Sequence, residues 1–262
     1  FHSSAKAYVT ATTNNIEDER MAVVIQEVVG RESNGRFYPD ISGAARSRNH
    51  YPVDPLKMED GLAAVCIGLG RQVSTGGKCL RFSPGQPKRI HQFHSTDSII
   101  ETSQSRFFAV PMDMDEGDVR VAEVENLLHL SLADAEEDGR LSLVGSTYVS
   151  SDDRIVDSIR RAGGSRLVTF APVLKHDKFP LAQILNHVLK TCEDFLASPI
   201  ELEFAIEVDD SKGVKKFAIL QVRPLMDESV DIDIDLADVD RSKAMCICSQ
   251  SLGNGVIEGI RD

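Results

Sequence analysis

The segment from Leu202 to Leu225 restricts the fold most, because two alternating apolar and polar runs flank a short charged turn. This pattern predicts two antiparallel β-strands joined as a hairpin. The first strand places Glu203 on the face opposite its apolar residues, which are Leu202, Phe204, Ile206 and Val208. Strict alternation in the second strand puts four side chains on one face: Phe217, Ile219, Gln221 and Arg223. Since a solvated face would not carry Phe217 and Ile219, we expect other residues to cover a gap into which Glu203, Gln221 and Arg223 point.

A helix is predicted directly before this hairpin, over residues 180–197. Pro180 suits the first helical position. An apolar stripe at helical spacing contains Leu181, Ile184, Leu185, Val188, Cys192, Phe195 and Leu196. The stripe predicts a helix with one face against the core.

Several shorter elements are predicted along the rest of the chain. Residues 21–29 are rich in β-branched side chains and indicate a buried strand, although a short apolar run alone does not settle the choice between strand and helix. Residues 61–70 predict a strand that runs into a glycine-rich bend, and a further strand is expected near 78–84.

The region 86–178 has a less regular pattern. Apolar spacing predicts a helix around 118–134. A second helix is expected to begin at Ser151 or Asp152 and to end at Gly163, and a strand is expected to follow it.

Composition limits the class of protein. Lys and Arg number 29 against 41 Asp and Glu, a formal charge of −12, which argues against a nucleic-acid partner but leaves room for one small polyanion in a local basic pocket. No apolar run is long enough for a membrane span, so no membrane partner is expected. Five scattered cysteines favour reduced thiols and a cytoplasmic location. The start at Phe1 without Met suggests a piece of a longer protein.

Possible metal and phosphate motifs are weak. The alternating acidic run from Val230 to Leu236 is either a carboxylate cluster for a divalent metal or an acidic linker, and we favour the linker. His91-x-x-His94 has metal-like spacing but no third ligand nearby, and Cys246-Ile-Cys248 has no second Cys or His pair at zinc spacing. The Ser-Thr-Gly-Gly-Lys stretch ending at Lys78 lacks the first glycine and the final hydroxyl of a phosphate loop.

Four ordered segments resemble the nucleotide-binding ATP-grasp domain of phosphoenolpyruvate synthases and pyruvate phosphate dikinases. The hairpin is similar to the family's Asp-Ile-Glu-Trp-Ala motif followed by Leu-Gln-x-Arg-Pro. Residues 21–29, 42–49 and 61–76 resemble its Met-Ala-Val-x-Val-Gln-x-Met-Val, Ser-Gly-Val-Ala-Phe-Thr-Arg-Asn and Gly-Leu-Gly segments in the same order. The resemblance implies an α+β, ATP-grasp-like fold with a mixed or antiparallel sheet and flanking helices. It also marks 86–178 as an insertion.

The resemblance assigns roles to individual residues. Glu203 and Gln221 become ligands of Mg²⁺ that bridges the ATP phosphates, Arg223 becomes a catalytic phosphate contact, and Arg48 takes the place of the Arg in the Thr-Arg-Asn motif. These residue types suit the chemistry, because Mg²⁺ prefers oxygen ligands and a guanidinium matches a phosphate. A cross-strand ion pair between Glu203 and Arg223 is the purely structural alternative.

The resemblance further implies partners and an activity. Residues 1–225 would be the carboxy-terminal part of the domain and 226–262 an acidic linker toward a following domain. The parent protein would use ATP to phosphorylate a histidine on a swivelling domain, which passes the phosphate to pyruvate, while the fragment alone would be inactive. An amino-terminal ATP-grasp half and the phosphohistidine domain would lie elsewhere in the parent chain, and a homodimer is left open.

Two departures favour other interpretations. Ala64 and Arg71 stand where the family has glutamates, so a degenerate module that acts as a scaffold or regulator is the main alternative. A plain interaction domain that uses region 86–178 is a third possibility, and it requires an exposed apolar patch there.

Overall fold

The computed structural model describes residues 23–225 with the exception of 115–116, 118–119, 121–122 and 162. The strands are β1 Arg31–Ser33, β2 Arg36–Tyr38, β3 Ile41–Arg46, β4 Leu62–Cys66, β5 Leu80–Phe82, β6 Arg106–Pro111, β7 Leu128–Ser131, β8 Gly145–Val149, β9 Arg154–Val156, β10 Ser165–Val168, β11 Ile200–Asp209 and β12 Val214–Pro224. The helices are α1 Arg71–Ser74, α2 Thr96–Thr102, α3 Leu132–Glu137, α4 Ala171–Leu174 and α5 Leu181–Leu196, with 3-10 turns at Met58–Asp60, Glu123–Asn126 and Leu141–Leu143.

The strands form three antiparallel sheets. The largest has five strands in the order β12-β11-β3-β4-β5, the second has the order β1-β2-β6-β7, and the third has the order β10-β8-β9. Every strand pair is antiparallel. The predicted α+β class is therefore confirmed.

The predicted helix and hairpin at the end of the described chain are both present. Alternate residues of β11 are fully buried, namely Ile200, Leu202, Phe204 and Ile206. Helix α5 contacts β11 and β3 and buries Leu181, Leu185 and Leu189. Its apolar stripe extends beyond the core, and Phe195 near the end of the helix is 86% exposed.

The expectation of a buried strand at 21–29 is wrong for the residues that the structure describes. Residues 23–29 form no helix or strand, and Val23 and Ile25 are 80% and 94% exposed. Within the described chain, no neighbouring strand pairs with this run. It touches the edge strand β12 through Gln26, whose Nε2 donates to the carbonyl oxygen of Leu220 at 2.9 Å.

Two predicted helices in region 86–178 are wrong for most of the residues that the structure describes, since of the stretch 118–134 only 132–134 lie in an α-helix, and residues 118–119, 121–122 and 162 lie outside the described chain. Residues 128–131 form β7 and pair with β6, and residues 154–156 form β9 and pair with β8. At 128–131 pairing with β6, which lies further back in the chain, overrides the local helical spacing, and at 154–156 a hairpin with the preceding strand β8 does so. The strand predicted after Gly163 is confirmed as β10.

A buried arginine fixes the β1–β2 hairpin to region 86–178. Arg140 is 2% exposed and donates to the carbonyl oxygens of Tyr38 and Arg31, with its guanidinium carbon 4.0 Å from the centre of the Tyr38 ring. Tyr38 in turn donates its hydroxyl to Asp138 at 2.6 Å. Because burial disfavours the charged form, the pKa of Arg140 lies below its ordinary value.

The cysteine thiols and the lengths of the helices in the described residues bear on two expectations from the sequence. Cys66, Cys79 and Cys192 are free thiols, and burial raises the pKa of Cys66 to about 12. In the same part of the chain no helix has both the length and the apolar character that crossing a bilayer requires. Cys246, Cys248 and the acidic run at 230–236 lie outside the described residues.

Candidate functional site

Glu203 and Gln221 lie directly opposite each other on the paired strands β11 and β12. Side chains at opposed positions of an antiparallel pair share one face of the sheet. Glu203 is half-buried and Gln221 is exposed. Among the described residues, neither side chain has a hydrogen-bond or ion-pair partner, so both have oxygen atoms available to a ligand.

A β-bulge brings Gln221 to this face. The register shifts by one residue between Glu203 and Phe204, because Glu203 pairs with Gln221 whereas Phe204 pairs with Ile219. Leu220 is therefore the extra residue of the bulge.

The bulge corrects the sequence-based assignment of faces. Ile219 and Phe217 lie opposite Phe204 and Ile206, on the apolar side of the sheet, and the rings of Phe217 and Phe204 stack 5.2 Å apart. Gln221 and Arg223 lie on the other side. The apolar residues of β12 are thus no sign of a cover over the polar face.

One continuous row of side chains crosses all five strands on the polar face. The opposed positions run from β12 to β5 in the order Gln221, Glu203, Ala44, Ala64, Arg81. The two alanines in the middle have short side chains, so they leave space above this part of the sheet. Ala64 is the position at which the family has a glutamate, so the row has a carboxylate near one end and a guanidinium at the other.

A second row of opposed side chains lies two residues away from the first along each strand. It contains a buried carboxylate between two arginines. Glu201 is 5% exposed and lies opposite Arg223 on β12 and Arg46 on β3. Its Oε2 accepts from Nε of Arg46 at 2.6 Å, and its Oε1 accepts from Nε of Arg223 at 2.9 Å. Burial alone would raise the pKa of Glu201, but the hydrogen bonds from Arg46 and Arg223 outweigh it and hold the pKa below its ordinary value.

The ion-pair partners of Arg48 do not belong to these two rows. Its guanidinium donates to Glu193 on α5, with Nη2 2.7 Å from Oε1, and lies 3.6 Å from Glu59. The structure therefore brings Glu203, Gln221 and Arg223 together on one hairpin face and ties Arg48 to the helix. Its role as a phosphate contact stays a prediction.

The donor set fits one type of metal site. The described residues contain no group of three or more His, Cys, Asp and Glu side chains that could hold a metal ion. Glu203 and Gln221 offer one carboxylate and one amide oxygen side by side. That is the kind of set with which Mg²⁺ is held when most of its ligands are water and substrate phosphates.

Sequence reasoning missed Glu201 and Arg46. Glu201 precedes the alternating run that drew attention to the hairpin, and Arg46 occupies the place of a Phe in the family segment. The signal that was available is register, because pairing Glu203 with Gln221 necessarily pairs Glu201 with Arg223. The alternative of an ion pair between Glu203 and Arg223 is wrong, since Arg223 binds Glu201 instead.

The fold thus consists of an antiparallel sheet with a flanking helix, and its last hairpin places an acid–amide pair beside an arginine. The chain belongs to the pyruvate phosphate dikinase, AMP/ATP-binding domain family, whose model matches residues 1–242. No curated protein matches the sequence.

Proposed function

We propose that Glu203 and Gln221 hold Mg²⁺ on the phosphates of ATP and that Arg223 contacts those phosphates. The single observation that carries this proposal is the in-register pair of Glu203 and Gln221 on one face of the β11–β12 hairpin, both free of partners among the described residues. The family to which the chain belongs is one that binds AMP and ATP.

The hairpin contributes positioning and charge. Paired strands fix the separation of the carboxylate and the amide, and phosphoryl transfer depends chiefly on such positioning and on neutralisation of phosphate charge. Bound Mg²⁺ would supply most of that neutralisation. Glu201 fixes Nε and one terminal nitrogen of Arg223, which leaves Nη1 to donate to a phosphate oxygen.

Arg46 is the second cation beside this site. It shares Glu201 with Arg223, and its side chain is 45% exposed. Two arginines around one carboxylate leave a net positive charge beside a phosphate bound at Glu203. Arg48 would contact the same phosphates only after leaving Glu193.

The family to which the chain belongs supports a proposal for the activity of the parent protein. It is an ATP-dependent phosphotransferase related to phosphoenolpyruvate synthase, in which the phosphate passes to a histidine on a separate swivelling domain and then to pyruvate. An amino-terminal ATP-grasp half of the same chain closes the nucleotide site, and residues 1–262 alone do not turn over.

Calorimetry with MgATP tests the binding step. Wild-type full-length protein is expected to bind, and Glu203→Ala to lose at least tenfold in affinity and to abolish ATP-dependent autophosphorylation. Glu207→Ala is the matched control, because Glu207 lies on the same strand and the same face as Glu203. Equal binding and labelling by Glu203→Ala and wild type would remove Glu203 from the site.

A degenerate module that acts as a scaffold or regulator is the second candidate. Ala64 and Arg71 favour it, because two carboxylates of the family pattern are replaced there. In the same experiment this candidate predicts no heat from wild-type protein. A domain that binds partners through region 86–178 has less support, since its large exposed apolar side chains among the described residues are Ile100 and Met112.

A further inference from the structure

Two cysteines face each other at one end of strands β4 and β5. The strand register pairs Val65 with Leu80, and continuing it by one residue at that end places Cys66 opposite Cys79. Both are free thiols, and they are buried, with 0% and 6% of their surface exposed. Because opposed residues of an antiparallel pair project from the same face of the sheet, the two side chains are neighbours.

The hydrogen bonds of Gln92 show which kind of strand pair this is. Its Nε2 donates to the carbonyl oxygen of Cys79 at 3.2 Å, and its Oε1 accepts from the backbone N–H of Arg81 at 3.1 Å. These backbone groups therefore point away from β4, so Cys79 occupies a position that forms no backbone hydrogen bonds with β4. In an antiparallel pair of that kind the Cα atoms are about 4.5 Å apart and the side chains are at their closest.

This arrangement suits a disulfide bond, which joins cysteines whose Cα atoms are about 4.4–6.8 Å apart. In the reduced protein Sγ of Cys66 lies 3.4 Å from Oγ of Ser42 on β3 and 3.6 Å from the carbonyl oxygen of Leu69. A thiol forms only weak hydrogen bonds. Rotation of the Cys66 side chain about its Cα–Cβ bond, from β3 toward β5, therefore gives up little and brings its sulfur to Cys79.

Cys79 is the thiol that a small oxidant reaches first. It lines an open cleft of about 860 Å³, whereas Cys66 is fully buried. Burial raises the pKa of both thiols, that of Cys66 to about 12, and the positive charge of Arg81 partly offsets the rise at Cys79. Since the thiolate is the reacting form of cysteine, we expect Cys79 to react first, and slowly at neutral pH.

We propose that Cys66 and Cys79 form an oxidative modification site, a dithiol that hydroperoxides convert to a disulfide. In the first step the Cys79 thiolate attacks one peroxide oxygen and the O–O bond breaks. The other oxygen takes up a proton and leaves as water or an alcohol, and Cys79 becomes a sulfenic acid. The hydroperoxide is thereby reduced by two electrons.

The second step joins the two strands. The Cys66 thiol gives up its proton, its sulfur attacks the sulfur of Cys79, and the S–O bond breaks with loss of water. The new bond closes the loop of residues 67–78, which contains helix α1. The loop is then held covalently at both ends against β4 and β5. This proposal does not depend on magnesium, on a nucleotide or on Glu203.

Peptide mapping of the full-length protein tests the site. The protein is treated with hydrogen peroxide, its remaining thiols are alkylated in urea, and it is digested with trypsin without reductant. We expect a cross-linked pair of peptides, residues 58–71 with Cys66 and residues 79–81 with Cys79. Dithiothreitol should separate the pair. Cys192 lies in a third peptide, residues 191–212, which is expected in no cross-link with the other two.

Serine variants separate the two steps. In Cys66→Ser the sulfenic acid of Cys79 has no thiol to react with, so dimedone, which labels sulfenic acids, is expected to label Cys79 about fivefold more than in wild type. In Cys79→Ser the buried Cys66 is expected to stay reduced. Cys192→Ser is the matched control and should give the cross-link in a yield within about twofold of wild type.

Three results would overturn the proposal: a Cys79 that stays fully alkylated after peroxide, a sulfinic acid at Cys79 without a cross-link, or a cross-link from Cys79 to a cysteine other than Cys66. All three are measured on wild-type protein, so the test stands even if a serine variant folds poorly.

Discussion

Arg223 on β12 binds Glu201 on β11, and Glu203 two residues further along β11 is left without an ionic partner among the described residues. The hairpin thus separates two functions of its acids. Glu201 binds two arginines and fixes their positions, whereas Glu203 contributes an unpaired carboxylate beside Gln221. We therefore expect Glu201, which is buried and paired, to affect stability. Glu203, which is unpaired, is expected to affect ligand binding.

Replacing Glu201 by Gln should destabilise the protein. The variant removes a charge-assisted acceptor from Arg46 and Arg223, and we expect a loss of about 1–2 kcal/mol in the free energy of unfolding, since both arginines are partly exposed and solvent screens them. Urea denaturation measures the loss. Glu203→Gln serves as the comparison and is expected to change stability by less than about 0.5 kcal/mol. Equal losses in the two variants would contradict the division of roles.

The lowered pKa values of several acids predict that the protein becomes less stable as the pH falls. Hydrogen bonds from Arg166 and from Ser131 hold the pKa values of Glu136 and Asp134 below their ordinary values of 4.5 and 3.8, and Glu201 is also lowered. A group with a lowered pKa in the folded state contributes its full stability above the ordinary pKa. That contribution is lost as the pH falls through the lower, folded-state value, because the unfolded chain takes up the proton more readily.

Urea midpoints at pH 7, 5, 4 and 3 should therefore stay level down to about pH 5 and then decline. Glu136→Gln is expected to reduce the decline, because its ion pair with Arg166 no longer titrates. A midpoint that rises between pH 5 and 3 would contradict the assignment.

How far the sequence predicts this fold depends on where each segment finds its partners. The helix α5 and the β11–β12 hairpin are adjacent in the chain, so their periodicity reflects the packing that the structure has. Residues 128–131 have helical spacing but pair with β6, and no local pattern reveals that partner. The exposed run at 23–28 is apolar enough for a strand, yet none of the described strands pairs with it.

Three residues of the candidate site were predictable from the sequence, but Glu201, Arg46 and the geometry of the site were not. Glu203, Gln221 and Arg223 follow from the hairpin motif. The bulge at Leu220 does not, because one extra residue in a strand leaves the alternation of residue types almost unchanged while it reverses the faces on one side.

The buried Arg140 should be among the most sensitive positions for stability. Arg140→Met leaves the carbonyl oxygens of Tyr38 and Arg31 without their donor, and we expect a loss of about 2–4 kcal/mol. Tyr38→Phe removes the hydroxyl bond to Asp138 and is expected to lose about 1–2 kcal/mol. Chemical denaturation compares both with Arg154→Met, an exposed arginine whose replacement should be nearly neutral. A neutral Arg140→Met would show that the β1–β2 hairpin is held by other contacts.

Deleting Leu220 tests the bulge directly. Without this residue Ile219 still pairs with Phe204, and Gln221 becomes the next residue, which regular pairing places opposite Glu203. The deletion variant is therefore expected to fold with a change of less than about 2 kcal/mol and to keep MgATP affinity within about threefold. If β12 instead alternated regularly through Leu220 in the native protein, the deletion would turn Gln221 and Arg223 onto the apolar side, and both MgATP binding and cooperative unfolding would be lost.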